Sequence, residues 1–270
     1  MSSDIRDIQL KELEIAKALA GVCEEHHLTY YMVGGTLIGA VRHQGFIPWD
    51  DDMDFAMPRA DYEFFLREAY KSLPPNICVD HFRFDPTVYF YPMKLMNTDV
   101  RVTETRLKDL NQVSYLSIDV FPVDGYPDGW FRRQLYKLRF YYNKMMIGFC
   151  NVDRLRTNVK RSKAEKILIR FAKMFRLNER LSLTKVRNRY DRFLKQYSMK
   201  TCALAGDITG RYGFREFVPK EWFGEPAQLI FEDIKLPAPQ HYDAYLRHMY
   251  GDYMQLPPEE ARVSDHLTLV

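Results

Sequence analysis

Four carboxylates within five positions, Asp50, Asp51, Asp52 and Asp54, constrain this chain more than any other feature. They close the stretch GGTLIGAVRHQGFIPWDDDMDF, Gly34 to Phe55, and apolar residues flank them on both sides. The pattern predicts a strand over Asp52 to Met57, ended by Pro58. On a strand, Asp52 and Asp54 project to one face and Met53 and Phe55 to the other. Carboxylates held that close repel one another unless a cation or a proton intervenes. Hard oxygen ligands in such a cluster suit magnesium or manganese, with substrate phosphate oxygens completing the shell. Asp50, Asp52 and Asp54 are therefore candidate metal ligands. The competing reading is an acidic loop, or a cap on the helix that follows Pro58.

A third carboxylate is wanted on a neighbouring strand, and Asp119 is the best candidate. It lies between Ile118 and Val120 in an otherwise apolar strand predicted over Tyr115 to Phe121. An Asp in that setting is costly unless it is paired or bound to metal. Asp124, before Gly125, reads as a turn residue. Gly34-Gly35-Thr36 falls between a predicted strand, Leu28 to Val33, and a short helix from Thr36 to about His43. Glycines there allow close backbone approach, and a helix start offers N–H groups to phosphate. Arg42, His43 and Lys94 could neutralise a diphosphate.

The rest of the chain predicts an α+β protein, with strands up to about residue 125 and helices after it. Ile5, Ile8, Leu13, Ala16, Leu19 and Cys23 keep helical spacing over Asp4 to His26. Asp61 to Ser72 reads as a helix, and Ile77 to Phe84, Val88 to Met96 and Val100 to Thr105 read as strands. From Phe131 to Lys200 there are 21 Lys and Arg against 4 Asp and Glu, while the remainder holds 18 against 32. A strongly basic block thus sits inside an acidic protein, which bears on partners and not on fold. Three helices are predicted in it, with stripes Phe131-Leu135-Leu138-Tyr142, Ile167-Phe171-Met174 and Val186-Tyr190-Phe193. Those stripes are expected to pack on the rest of the protein, with some basic residues left for an anionic membrane surface. A further helix is expected near His241 to Tyr250. The first fifteen residues carry Asp4, Asp7, Glu12 and Glu14, unlike a secretory signal. The scattered cysteines, Cys23, Cys78, Cys150 and Cys202, read as reduced thiols of a cytoplasmic protein.

The run GGTLIGAVRHQGFIPWDDDMDFAMPRADYEFF resembles the signature of the LicD family, within the nucleotidyltransferase superfamily and related to fukutin-type phosphotransferases. SIDVFP and the later FEDIKLPAPQHYDAYLRHMYGDYMQLPPEEARVSDH extend the resemblance. It implies a mixed sheet flanked by helices, a catalytic core over 1–128, a basic helical module over 129–200 and a completing segment over 201–270. It further implies transfer of a phospho-alcohol from a CDP-activated donor, with Asp52, Asp54 and Asp119 catalytic and magnesium or manganese held by them and Asp50. Phosphocholine from CDP-choline, moved to a lipid-linked glycan precursor at the inner face of the cell membrane, is the reading it favours. Gly34, Gly35, Thr36, Arg42, His43, Lys94 and Trp49 would bind the donor. Trp49, Tyr89, Tyr91, Phe121 and Tyr126 are candidate aromatic faces for the choline cation, and Tyr250, Tyr253, Arg262 and His266 would line the acceptor side. Ribitol or glycerol donors, an NMP-adding enzyme acting on RNA or a small molecule, and a non-enzymatic membrane scaffold are the alternatives; a nucleic-acid partner is not expected.

Overall fold

The computed structural model describes residues 3–88, 91–104, 113–152, 162–262 and 267–269. In chain order the elements are α1 (Ser3–Glu25), β1 (Tyr31–Met32), α2 (Gly34–His43), β2 (Asp54–Pro58), α3 (Arg59–Arg67), β3 (Ile77–Asp80), β4 (Met93–Glu104) and β5 (Val113–Tyr126). There follow α4 (Trp130–Cys150), α5 (Lys163–Met174), α6 (Leu177–Arg180), α7 (Leu183–Leu194), β6 (Leu204–Gly206), β7 (Val218–Pro219), β8 (Ala227–Phe231), β9 (Ile234–Ala238), α8 (Tyr242–Tyr250) and β10 (Leu267–Leu269). Contacts divide the chain into two compact units, Met1–Asp124 with Leu204–Val270, and Gly125–Ala203.

The first unit is an α+β body built on a mixed sheet with the path β1-β2-β5-β4-β10. β3 joins on β4, β6 joins on β5, and β7 follows β6. β2 and β5 run parallel, and the other registered pairs are antiparallel. Parallel neighbours need a long crossover, and here the chain between them makes α3, β3 and β4. Apolar residues of α1 (Ile8, Ile15, Leu19) and of the central strands (Phe55, Met57, Leu95, Ile118, Val120) are almost wholly buried and form the core. A separate β8-β9 hairpin completes this unit.

Several boundaries differ from the sequence expectation. β2 begins at Asp54, so Asp52 sits in the approach to the strand. The cause is that the acidic segment is tied elsewhere: the buried Asp51 accepts the Leu267 N–H at 2.8 Å, and Gln9 Nε2 donates to the Asp50 carbonyl at 2.8 Å. The expected strands Val88–Met96 and Val100–Thr105 are one strand, β4, irregular between Asn97 and Arg101. β5 continues through Pro122 to Tyr126: its register with β4 ends at Val120, so Pro122 pairs with Met57 of β2 where no β4 residue stands opposite. Asp124 is accordingly not a turn residue. It is buried and makes a bidentate ion pair with Arg59, at 2.8 and 2.5 Å.

The second unit is helical in its described residues apart from the end of β5. α4 packs on α7 through Tyr136, Phe140, Tyr190 and Phe193, with Tyr136 and Phe193 ring centroids 4.6 Å apart. Ser162 and Ser182 cap α5 and α7 by accepting backbone N–H groups. Gly125 donates to the Tyr197 carbonyl, and a Cβ there would meet Ser198 O at 2.5 Å, so only glycine fits. The α4 stripe Phe131-Leu135-Leu138-Tyr142 is exposed, and the buried face is Tyr136, Phe140 and Asn143. The expectation that this stripe packs away from solvent is thus corrected, and the α5 stripe Ile167-Phe171-Met174 is exposed as well. Among the described residues no helix is long and apolar enough to cross a membrane.

Candidate active site

The sheet register brings the acidic residues together. Asp54 on β2 lies directly beside Asp119 on β5, and Asp119 lies opposite Lys94 on β4. Neighbouring strands are about 4.8 Å apart, so one row of the sheet carries two carboxylates and a lysine. Lys94 Nζ stands 2.8 Å from Asp119 Oδ1, at ion-pair distance but without the alignment of a hydrogen bond. Asp52 and Asp54 keep to one side, since burial alternates with Asp51 and Met53 on the other.

The glycine pair forms the floor under these carboxylates. Gly34 starts α2 with φ +59°, and a Cβ there would fall 2.8 Å from Asp54 Oδ2. A Cβ on Gly35 would overlap the Asp50 carboxylate and would stand 4.0 Å from Asp52 Oδ1. Thr36 Oγ1 accepts the Asp54 N–H at 2.8 Å, and the Val33 N–H bonds the Asp54 carbonyl at 3.1 Å. Asp50, Asp52 and Asp54 therefore converge over the start of α2 because only glycine leaves room there.

This grouping is electrostatically unfavourable by itself. Burial first, and then the charges of Asp52 and Asp51, push Asp50 up to about 8, and a side-chain hydrogen bond joins it to Asp52. Asp54 is held well above the ordinary carboxylate range by burial, then by Asp52, Asp119 and Asp50, with Lys94 opposing. Glu12 of α1 adds to the group. It is fully buried, neither of its oxygens has a hydrogen-bond partner among the described residues, and burial, followed by the charges of Asp52 and Asp51, pushes its carboxyl well above the ordinary range. Sequence reading missed Glu12 as a site residue. Its only signal was a carboxylate four positions after Ile8 on the apolar face of α1.

The donor set fits a divalent ion. Among the described residues no three His, Cys, Asp or Glu side chains enclose a metal by themselves. Magnesium does not require that, since it is commonly held by one or two carboxylates plus substrate phosphates and water. Adjacent carboxylates that raise one another's proton affinity are the arrangement a cation would relieve.

A cationic group lies next to this one. Arg42 Nη1 donates to the Tyr253 carbonyl at 2.9 Å and Arg42 Nε to His43 Nε2 at 2.9 Å. The Arg262 guanidinium lies 5.5 Å from the Trp49 ring centroid, and the His43 and Trp49 rings meet edge-on at 6.3 Å. Burial, then Arg262, lower the proton affinity of Arg42, while Asp50 raises it. The fold thus assembles Arg42, His43, Trp49 and Arg262 from three segments beside Asp50.

The other aromatic candidates are dispersed. Tyr91 stacks on Phe82 and shares the Arg59 guanidinium with Tyr62. Tyr126 packs on Tyr136 and Arg133 in the helical unit. Phe121 lies on β5 opposite Ala56. Tyr253 donates to Asp243 at 2.7 Å. Tyr89 and His266 lie outside the described residues. Tyr250 meets Tyr212 edge-on at 5.6 Å, and the charge of Asp54 helps raise its hydroxyl, after burial, Tyr212 and Glu216. Beside it, Asp207 and Glu216 are carboxyls raised by burial to about 6 and about 8. No periodicity marks that segment in the sequence.

The α+β body with its aligned carboxylates is, by its similarity to known proteins, that of a transferase. Residues 27–148 match the LicD/FKTN/FKRP nucleotidyltransferase domain. The chain is 27% identical over 266 residues to the lipopolysaccharide cholinephosphotransferase LicD of Haemophilus influenzae, covering 97% of this chain and 96% of that protein. It is 43% identical over 44 residues to the ribitol 5-phosphate transferase FKRP of Homo sapiens, covering 16% of this chain and 9% of the relative.

Proposed function

We propose that this protein transfers phosphocholine from CDP-choline to a hydroxyl of a cell-surface glycan precursor of lipopolysaccharide type, releasing CMP. The observation that carries the reading is the row Asp54-Asp119-Lys94 beside Asp50 and Asp52. The end-to-end similarity to a cholinephosphotransferase supports the choice of alcohol.

In this reading Asp52, Asp54 and Asp119 would hold magnesium or manganese, with Asp50 in support. The ion, when bound, neutralises the donor diphosphate and the charge that develops on departing CMP. Arg42 and Arg262 face the same diphosphate as fixed positive charges, and His43 and Trp49 hold them in place. Gly34, Gly35 and Thr36 let the donor approach the backbone. The acceptor hydroxyl oxygen attacks the choline-side phosphorus, and its proton passes to the Asp119 carboxylate. The bond from that phosphorus to the bridging oxygen breaks, and CMP leaves with the electron pair. Lys94 orients Asp119 for that transfer.

The test is CMP release from CDP-choline, CDP-ribitol and CDP-glycerol, with and without a lipid-linked glycan acceptor and with magnesium or EDTA. Magnesium-dependent release fastest with CDP-choline supports the reading. Release fastest with another CDP-alcohol replaces the alcohol, and no release from any of them rejects the reaction.

A further inference from the structure

The Gly125–Ala203 unit holds a feature that the transfer chemistry does not use. A cavity of about 540 Å³ lies between α4 and the end of α7, lined by Arg139, Tyr142, Asn143, Arg189, Arg192, Phe193 and Gln196. Among the described residues three guanidiniums line it and no carboxylate does. Arg139 and Arg189 are held in position by aromatic rings and side-chain amides, and Arg192 Nε donates to the Asn188 carbonyl at 3.3 Å. Arg189 lies 4.9 Å from the Tyr142 ring centroid and donates to Asn143 Oδ1 at 3.1 Å. Arg139 lies 5.6 Å from the Phe193 ring centroid and donates to Gln196 Oε1 at 3.1 Å. Arg189 Nη2 is buried and has no hydrogen-bond partner among the described residues. A buried guanidinium nitrogen without an acceptor carries a cost that an oxyanion would remove. Planar, forked donors converging on one space are the arrangement that recognises phosphate.

The surroundings indicate what carries the phosphate. Tyr142 belongs both to the cavity and to the exposed α4 stripe with Phe131, Leu135 and Leu138, which are 74%, 48% and 67% exposed. α4 has no Asp or Glu and carries Arg132, Arg133, Lys137, Arg139 and Lys144. A helix with an apolar face and a basic polar face lies in the headgroup region of an anionic bilayer. A free phosphate would need only the arginines. The apolar stripe running up to the cavity requires an apolar partner as well.

We propose that the Gly125–Ala203 unit docks on an anionic phospholipid surface, with the α4 stripe entering the interface and the Arg139-Arg189-Arg192 cavity receiving a headgroup phosphate. None of these residues belongs to the carboxylate site, so docking and donor chemistry can fail independently.

The test is flotation of the full-length protein with phosphatidylcholine vesicles that contain or lack phosphatidic acid, at physiological salt. Wild type should float only with phosphatidic acid present. Arg139→Gln/Arg192→Gln removes two exposed cavity charges and should weaken binding by ~30-fold, about fivefold per charge. Lys166→Gln/Lys173→Gln removes two exposed charges on α5, outside the cavity, and should weaken it several-fold less. Leu138→Glu should abolish flotation, and thermal unfolding should show all three variants folded. Equal losses in the two double variants would reduce the effect to diffuse charge and overturn the cavity's role. Flotation of Leu138→Glu at the wild-type level, with inorganic phosphate still bound in calorimetry, would make the cavity a free-anion site and overturn lipid docking. No flotation of wild type rejects the proposal outright.

Discussion

Glu216→Gln should remove a pH dependence of stability that has nothing to do with catalysis. The Glu216 and Asp207 carboxyls flank one glycine: a Cβ on Gly210 would lie 3.0 Å from Asp207 Oδ2 and 3.2 Å from Glu216 Oε1. Burial, then the charge of Asp207, holds Glu216 at about 8, although the Tyr212 N–H and the Tyr245 hydroxyl both donate to it. A carboxyl raised in this way binds its proton more tightly folded than unfolded. Its contribution is therefore intact below the unfolded value near 4.5 and is lost as pH rises through about 8. Each tenfold in proton affinity is worth about 1.36 kcal/mol, so an ionised Glu216 costs the fold on the order of 4 kcal/mol. In the variant, the amide oxygen of the introduced glutamine still accepts the Tyr245 hydroxyl, and the amide cannot ionise. Thermal unfolding of metal-free wild type and variant should agree closely near pH ~5, and the variant should lead by ~10 °C near pH ~9, at roughly 2–4 °C per kcal/mol. A gap that stays constant with pH, or one in which wild type gains on the variant as pH rises, would refute the reasoning.

Three further outcomes follow from the same structure. Glu12→Met removes a buried carboxyl that has no hydrogen-bond partner among the described residues and should stabilise the metal-free protein by about 1–3 kcal/mol in urea unfolding; destabilisation counts against the placement of Glu12. Asp124→Ala leaves Arg59 buried without its bidentate partner and should cost about 3–5 kcal/mol by the same measurement, with Arg59→Met in that background restoring much of the loss. Gly34→Ala places a Cβ at positive φ, 2.8 Å from Asp54 Oδ2, and should cost about 1 kcal/mol or more in thermal unfolding. The same variant should lower transferase turnover further than that loss of stability explains, because the displaced side chain is Asp54.

What the sequence made legible depended on the range of the interaction. The Asp-Met-Asp run and the Gly-Gly pair are local patterns, and they located β2 and α2, although β2 begins only at Asp54 and α2 already at Gly34. Asp119 could be selected because a lone acid in an apolar strand has few inexpensive explanations. Its alignment with Asp54 is a property of parallel pairing between β2 and β5 and has no local signature. The Arg59–Asp124 pair stayed hidden for the same reason: Pro58 stands opposite Val123 only once those strands are paired. Asp52 fell outside the strand because Gln9 and Leu267, distant in sequence, anchor the residues around it. Helical spacing located α4 and α7, yet it chose the exposed face of α4 as the packing face. On that helix the aromatic residues Tyr136 and Phe140 are buried while Phe131, Leu135 and Leu138 are exposed, and apolar periodicity alone does not distinguish the two stripes. Asp207 and Glu216 come together through short irregular segments, for which periodicity offers no guide.

In the proposed function the carboxylate row beside the glycine turn performs metal-dependent transfer from a CDP-alcohol. The most direct measurement compares CMP release from CDP-choline by wild type and by Asp54→Asn, with and without magnesium, once circular dichroism shows the variant folded. Wild type should release CMP only with magnesium, and Asp54→Asn should lose about a hundredfold or more of that release. Near-normal release by the folded variant, or equal release by wild type in EDTA, would contradict the proposed function.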